Sequence, residues 1–166
     1  MHFLALANVE ASEAESRGAN NGLGVLGAEQ LDWIKKDLAA VSSDTPIVTF
    51  GHVPLLAVYP QWGWATADSA QVLQQLRRFG SVTALNGHIH QIISKTEGNI
   101  VMHTGASTAY PLHRPGNVAP EPLTVPAGEL PSRIGIRTVQ FRRGSSSLAL
   151  INSSEAGGPI LSPPAA

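Results

Sequence analysis

The segments PIVTFGHVP, residues 46–54, and SVTALNGHIH, residues 81–90, decide the fold of this chain. Each contains a short run of apolar and β-branched residues that leads to a glycine followed directly by a histidine. A run of this kind, bounded by proline or glycine, is typical of a buried β-strand. Residues 67–79 lie between them with apolar side chains at helical spacing, so the sequence predicts a strand, a helix and a second strand.

The same alternation extends towards the N-terminus. Residues 3–7, FLALA, predict a short buried strand, and a polar loop over residues 10–27 follows it. Apolar residues then recur at helical spacing from Ala28 to Val41, with Glu29 in the first turn. This spacing predicts an amphipathic helix with one face towards the core, and the repeated order of helix and strand indicates an α/β fold.

The pattern changes after His90. Two pairs of short runs, residues 92–96 with 100–104 and residues 134–141 with 147–151, each flank a glycine-containing turn. Both pairs predict antiparallel hairpins, so we expect a mixed sheet with late antiparallel hairpins.

The rest of the C-terminal region is predicted to lack regular structure. Residues 106–131 contain six prolines and predict a loop. The last residues, from 153 to 166, end in a run of proline and alanine and predict a disordered tail. We therefore expect residues 1–152 to form one domain or part of one.

Composition excludes several classes of function. The chain has 11 basic and 12 acidic residues, a net charge of -1, and no basic cluster that would indicate a nucleic-acid surface. It has no cysteine, so any metal must be held by nitrogen and oxygen ligands. No apolar run is long enough for a signal peptide or a membrane span, which predicts a cytoplasmic location by default and no membrane partner, although a longer parent could be exported.

Three of the six histidines, His52, His88 and His90, follow predicted strands directly. Loops at the carboxyl ends of strands are where ligands bind in α/β sheets, so we expect these side chains to converge at one edge. A glycine before His52 and before His88 allows a sharp turn and a close approach to an ion. Neutral imidazole binds Zn, Fe and Mn, and the three residues are therefore predicted metal ligands. For His2, His103 and His113 a structural role is the preferred interpretation.

The order of GHVP, a helix, a strand and GHIH resembles the last two motifs of the calcineurin-like metallophosphoesterases. The wider stretches LGAEQLDWIKKDL (26–38), PIVTFGHVPL (46–55) and LNGHIHQ (85–91) are similar to the branch that includes bacterial cyclic-nucleotide phosphodiesterases and purple-acid-phosphatase relatives. The resemblance covers about residues 3–108. It implies the C-terminal half of a four-layer α/β/β/α sandwich.

The resemblance also implies a chemistry. In the family two metal ions, Fe, Mn or Zn, lie side by side, and His52 and His88 correspond to ligands of one ion while His90 corresponds to a ligand of the other. The implied function is hydrolysis of a small phosphoester, by a phosphatase or a cyclic-nucleotide phosphodiesterase. A metal-bound hydroxide would be the nucleophile.

The earlier motifs of the family, Asp-x-His, Gly-Asp-x-x-Asp and Gly-Asn-His, do not occur in this sequence. We therefore expect a fragment whose missing N-terminal half would precede residue 1, with no catalytic residue of its own, at most one bound ion, and no activity alone. Strands without their sheet neighbours are also expected to expose apolar edges and faces.

Two other functions stay open at the level of sequence. One is a non-catalytic histidine module that binds a metal or serves as a scaffold, and the other is a globular domain in which all six histidines are structural. The sequence does not identify the substrate. Four aromatic residues could form a substrate platform, but packing of long loops is the preferred interpretation for them: Tyr59, Trp62, Trp64 and Tyr110.

Overall fold

The structure, a computed structural model, describes residues 1–9, 23–115 and 121–163. Five strands form one sheet in the order β1-β2-β3-β5-β4, and two more form a separate antiparallel pair. The strands are β1 (His2–Leu6), β2 (Ile47–Gly51), β3 (Val82–Asn86), β4 (Ser94–Glu97), β5 (Ile100–Thr104), β6 (Gly135–Phe141) and β7 (Leu148–Ser154). The predicted mixed α/β fold is confirmed, because β4 alone runs antiparallel to its neighbour in the larger sheet.

Two helices cover one face of the larger sheet. Helix α1 (Ala28–Ala39) connects β1 to β2, and helix α2 (Ser69–Leu76) connects β2 to β3. Connections between parallel neighbouring strands are right-handed, which places both helices on the same side, and the two helices contact each other. The core between helices and sheet consists of buried apolar side chains, chiefly Leu4, Leu6, Ile34, Leu38, Ile47, Val72, Leu76, Val82, Ala84, Ile100 and Met102.

The opposite face of β1 and β2 is partly open. Phe3 is 59% exposed and Phe50 is 44% exposed, although both lie within strands. Side chains alternate between the two faces of a strand, so these residues point away from the helices that bury Leu4. The prediction of exposed apolar strand faces is confirmed at these two positions.

Several predicted boundaries change. Helix α1 ends at Ala39 instead of Val41, and α2 starts at Ser69 instead of Ala67. The start of α2 is shifted because the Asp68 carboxylate accepts hydrogen bonds from the backbone N–H groups of Leu26 and Gly27, at 2.9 and 2.8 Å, which ties the approach to α1 to the approach to α2.

The C-terminal segment differs from the predicted tail. Strand β7 continues to Ser154, three residues beyond the predicted end at Ile151, because its partner β6 supplies hydrogen-bonding positions as far as Gly135. Beyond the strand, the backbone N–H groups of Ala156 and Leu161 donate to the carbonyls of Pro131 and Ser132. The segment 153–163 is thus hydrogen-bonded in the structure, contrary to the prediction of a disordered tail.

Parts of three predicted irregular segments lie outside the described residues, namely 10–22, 116–120 and 164–166. In the described part of the chain, no helix has the length and apolar character needed to cross a membrane.

Two neighbouring residues of β1 test which face of the sheet is covered. Replacing the buried Leu4 by alanine should lower the free energy of unfolding by about 2–5 kcal/mol, since a cavity forms in the core. Replacing the exposed Phe3 by threonine, which keeps the preference for strand, should change it by about 0.5 kcal/mol or less. Urea denaturation measures both. A loss for Phe3→Thr as large as for Leu4→Ala would contradict the open face.

Candidate metal centre

The structure brings the Gly-His segments of β2 and β3 together. The two strands pair in parallel with Gly51 opposite Asn86, so both strands end at the same edge of the sheet. The rings of His52 and His88 meet there edge to face, with centroids 5.1 Å apart and planes at 77°. His90 is close enough to affect the ionisation of His88 by its charge. His52 and His88 therefore meet at one edge of the sheet, and His90 lies two residues beyond His88.

Asn8, two residues beyond β1, holds the loop that carries His52. Its side chain is buried, and its Oδ1 accepts hydrogen bonds from the backbone N–H groups of His52 and Val53, each at 3.1 Å. Its Nδ2 donates to the Val53 carbonyl at 2.8 Å and to Thr66 Oγ1 at 2.9 Å. One side chain thus satisfies several backbone groups that the strand end leaves unpaired, and it fixes the start of the His52 loop.

A pair of unusual backbone conformations presents His88 and His90. Their φ angles are 66° and 51°, in the left-handed region where residues with a side chain are uncommon. The Ile89 N–H donates to the Gly87 carbonyl at 2.8 Å, which closes a three-residue turn centred on His88. Ile89 itself is fully buried. Burial of Ile89 offsets the strain, about 1–3 kcal/mol for each such residue, and such strain concentrates at functional sites.

Backbone carbonyls lie beside two of the three rings. The Gly63 carbonyl lies beside the His88 ring and opposes the lowering of its pKa. His90 Nδ1 lies 2.8 Å from the Tyr110 carbonyl, and the Tyr110 ring packs edge to face on the imidazole with centroids 4.6 Å apart. A ring that donates from one nitrogen keeps the lone pair of the other nitrogen available, which is how metal-binding histidines are held.

Asn86, at the end of β3, contacts backbone instead of a histidine ring. Its Nδ2 donates to the carbonyls of Gly51 and Val53, at 3.2 and 3.0 Å, so it links the ends of the two strands. Its Oδ1 is buried and has no hydrogen-bond partner among the described residues. A buried acceptor without a partner beside the histidines is an unsatisfied polar group that a bound ion with its water could satisfy.

The environment favours the neutral form of His88 and His90. Burial lowers the pKa of His88 below its ordinary value, and the charges of His52 and His90 lower it further, against the opposing effect of the Gly63 carbonyl. Burial also lowers the pKa of His90, with the Tyr110 carbonyl opposing and His52 adding to the decrease. Neutral imidazole is the form that binds a metal, so these shifts favour coordination near pH 7.

The arrangement fits one transition-metal ion better than two. Two imidazoles bound to one tetrahedral zinc at about 2.0–2.1 Å have ring centres roughly 5 Å apart, close to the separation of His52 and His88. In the described part of the chain, however, no three His, Asp or Glu side chains are grouped so that they could hold an ion as placed. A third protein ligand would require a change in the placed side chains, and the described residues provide no grouped carboxylate to bridge two cations.

The other histidines have different surroundings. His2 is the first residue of β1, at the opposite end of the sheet from His52 and His88, and its Nε2 lies 2.5 Å from Asp37 Oδ2. His103 Nδ1 lies 2.7 Å from Ser94 Oγ across the β4–β5 hairpin. Both contacts join neighbouring elements, which agrees with the structural role preferred for these residues. His113 lies in the loop before residue 116, where its backbone N–H contacts the Glu121 carbonyl.

Sequence patterns did not identify three contributors to the site. Asn8 follows a buried strand at the same edge as the histidines, and that position was its only signal. Gly63 and Tyr110 act through their carbonyls, which leave no trace in residue type. Trp64 is buried, and Trp62 packs edge to face on both Tyr59 and Trp64, so the loop around Gly63 is held by aromatic packing, as the preferred interpretation had it.

In comparisons with known proteins, neither a protein-family model nor a curated protein sequence matches this chain. The resemblance to metallophosphoesterases therefore stays a hypothesis based on the motifs alone.

The lowered pKa values predict a pH dependence of folding. The unfolded chain binds protons at these histidines below about pH 6.5, whereas folded His88 and His90 resist protonation, so stability should fall as pH decreases through that value. Urea denaturation of the metal-free chain at pH 7.5 and 5.5 measures this loss. In a His88→Gln, His90→Gln double variant the loss should be smaller. An equal loss in both proteins would show that the two histidines are not the cause.

Proposed function

We propose that this chain carries the histidine ligands of a metal-dependent phosphoester hydrolase, a phosphatase or a cyclic-nucleotide phosphodiesterase. The observation that supports it best is the approach of His52 to His88 at the carboxyl edge of two parallel strands, with their rings 5.1 Å apart. The proposal also takes the larger sheet, with its helices on one face, as half of an α/β/β/α sandwich. The Gly-His motifs and their order support the same interpretation.

The chain's own residues would supply orientation and neutral nitrogen ligands. His90 donates to the Tyr110 carbonyl, so its other nitrogen keeps a lone pair for coordination, and the Gly63 carbonyl lies beside the His88 ring. Asn8 and Asn86 fix the backbone from which these rings project. Bound first-row metal ions would supply an acidified water and stabilise the negative charge on a phosphoryl group.

A second part of the proposal is that carboxylates must come from outside the described residues. Two divalent cations a few ångströms apart repel each other strongly unless an anion bridges them. A groove of about 560 Å³ lies beside His52, lined by residues that include Leu6, Gln30 and Phe50. Its position next to the open face of β1 and β2 gives a complementing segment both an apolar surface and access to the histidines. Alone, the chain would hold one ion and would not hydrolyse phosphoesters.

One observation favours a second candidate, a non-catalytic metal-binding module. Within the described residues no carboxylate joins the histidines in a ligand group. Nitrogen ligands without a bridging carboxylate are sufficient for one zinc or nickel ion, but not for the proposed hydrolytic centre.

Metal binding tests the site itself. Calorimetry with zinc or nickel at pH 7.5 should give about one ion per chain, and binding should weaken towards pH 5 as imidazole becomes protonated. His52→Ala, His88→Ala and His90→Ala should each weaken binding about 10-fold or more, since each removes a ligand or a close neighbour of the ion. His2→Ala and His113→Ala are matched controls and should bind as the parent does. An equal loss of metal affinity in His2→Ala and His88→Ala would rule out this site.

Activity separates the hydrolase from the binding module. The purified chain with added Mn, Fe or Zn should show negligible hydrolysis of nitrophenyl phosphate or bis-nitrophenyl phosphate, because its described residues offer no carboxylate grouped with the histidines to bridge two ions. A parent protein extended by the upstream reading frame should hydrolyse one of these two substrates. Its rate of hydrolysis should fall at least about 100-fold in the His88→Ala variant. Rapid hydrolysis by the isolated chain, abolished by His88→Ala, would contradict the proposed need for further carboxylates. An inactive extended parent that still binds metal would favour the binding module.

A further inference from the structure

A cavity of about 370 Å³ lies beside the candidate metal ligands, and His90 is one of its lining residues. Apolar side chains form much of its wall. They come from the segment after His90, from the loop around Pro111 and from the C-terminal segment, and include Ile92, Ile93, Pro111, Ile160, Leu161 and Pro163. The same cavity is lined by two arginines, Arg114 and Arg133. It therefore combines an apolar surface with two guanidinium groups next to a predicted metal ligand.

Arg133 is fixed in place. Its side chain is 16% exposed, one terminal nitrogen donates to the Ser162 carbonyl at 3.2 Å, and the other donates to Glu129 at 3.0 Å. Its Nε–H is buried and has no hydrogen-bond partner among the described residues. A guanidinium that is held rigid and retains an unused donor loses little freedom when it binds an anion.

Arg114 is exposed and is carried by a loop that Gln91 holds. The buried Gln91 side chain donates to the carbonyls of His113 and Leu112, at 2.7 and 3.4 Å, directly before Arg114. Over residues 1–9, 23–115 and 121–163, no carboxylate forms an ion pair with Arg114. Glu129, which pairs with Arg133, is not one of the residues that line the cavity. The lining therefore carries an excess of positive charge, although the net charge of the whole chain is -1.

We propose that this cavity binds the organic group of the substrate, and that this group is apolar and carries a second anion, a carboxylate or a phosphate. The inference rests on the proposed function, because it takes the phosphoester to lie at the histidine edge. A substrate held there extends past His90, where the apolar wall accommodates a hydrocarbon or aromatic body. The two arginines then lie where a second anion gains charge-assisted hydrogen bonds.

The test compares two probes that differ only in the second anion. Calorimetry on the zinc-loaded chain measures phenyl phosphate against 4-carboxyphenyl phosphate, and the added carboxylate should tighten binding about 10–100-fold, the effect of a hydrogen bond between charged groups. Arg114→Met should abolish this preference, and Arg133→Lys, which keeps the charge but not the planar fork, should reduce it. Arg143→Met, at an exposed arginine in the β6–β7 turn, is the matched control and should keep the full preference.

A histidine variant separates this inference from the proposed function. His88→Ala should weaken the binding of both probes by the same factor and leave the preference for the probe with the carboxylate unchanged. If the chain binds no zinc, the proposed function fails, and an Arg114-dependent preference in the metal-free chain still supports the anion site. Equal affinities for the two probes in the parent chain, or a preference that survives Arg114→Met, would overturn the assignment of this cavity.

Discussion

The parallel pairing of β2 with β3 is the constraint on which the site depends. With Gly51 opposite Asn86, the chain leaves both strands at the same level, and His52 and His88 follow within two residues. A slip of one residue would turn the side chains of a strand to the other face, which would expose the buried Ile47 and Val82. The core beneath the sheet therefore fixes the register, and the register fixes the distance between the two rings.

The site is assembled from strained and buried backbone on this frame. Left-handed conformations at His88 and His90 are costly, and they are offset by the burial of Ile89 between them and by the hydrogen bond from the His90 ring to the Tyr110 carbonyl. Burial of the two rings themselves lowers the pKa of both histidines. The neutral form that this burial favours is the form that coordinates a cation.

The sequence was sufficient for the elements and their order, because the helices show a clear periodicity and the strands form short apolar and β-branched runs between turn residues. It was also sufficient for the approach of His52 to His88, since parallel strands present their carboxyl ends at one edge. It did not reveal Asn8, Gly63 or Tyr110 as partners, because those contacts depend on loop paths that no local pattern encodes. The extension of β7 to Ser154 was missed for a related reason: the residues Asn152, Ser153 and Ser154 have weak strand propensity, and pairing with β6 overrides it.

X-ray absorption spectroscopy of the zinc-loaded chain tests the central claim most directly, because it reports the ligands of the ion itself. The account predicts a shell with two or three imidazole nitrogens at about 2.0–2.1 Å, together with the multiple-scattering features of histidine rings. The imidazole contribution should fall in His88→Ala and should be unchanged in His2→Ala. A shell of oxygen ligands without imidazole, or a spectrum that His88→Ala does not alter, would contradict a metal centre built from His52, His88 and His90.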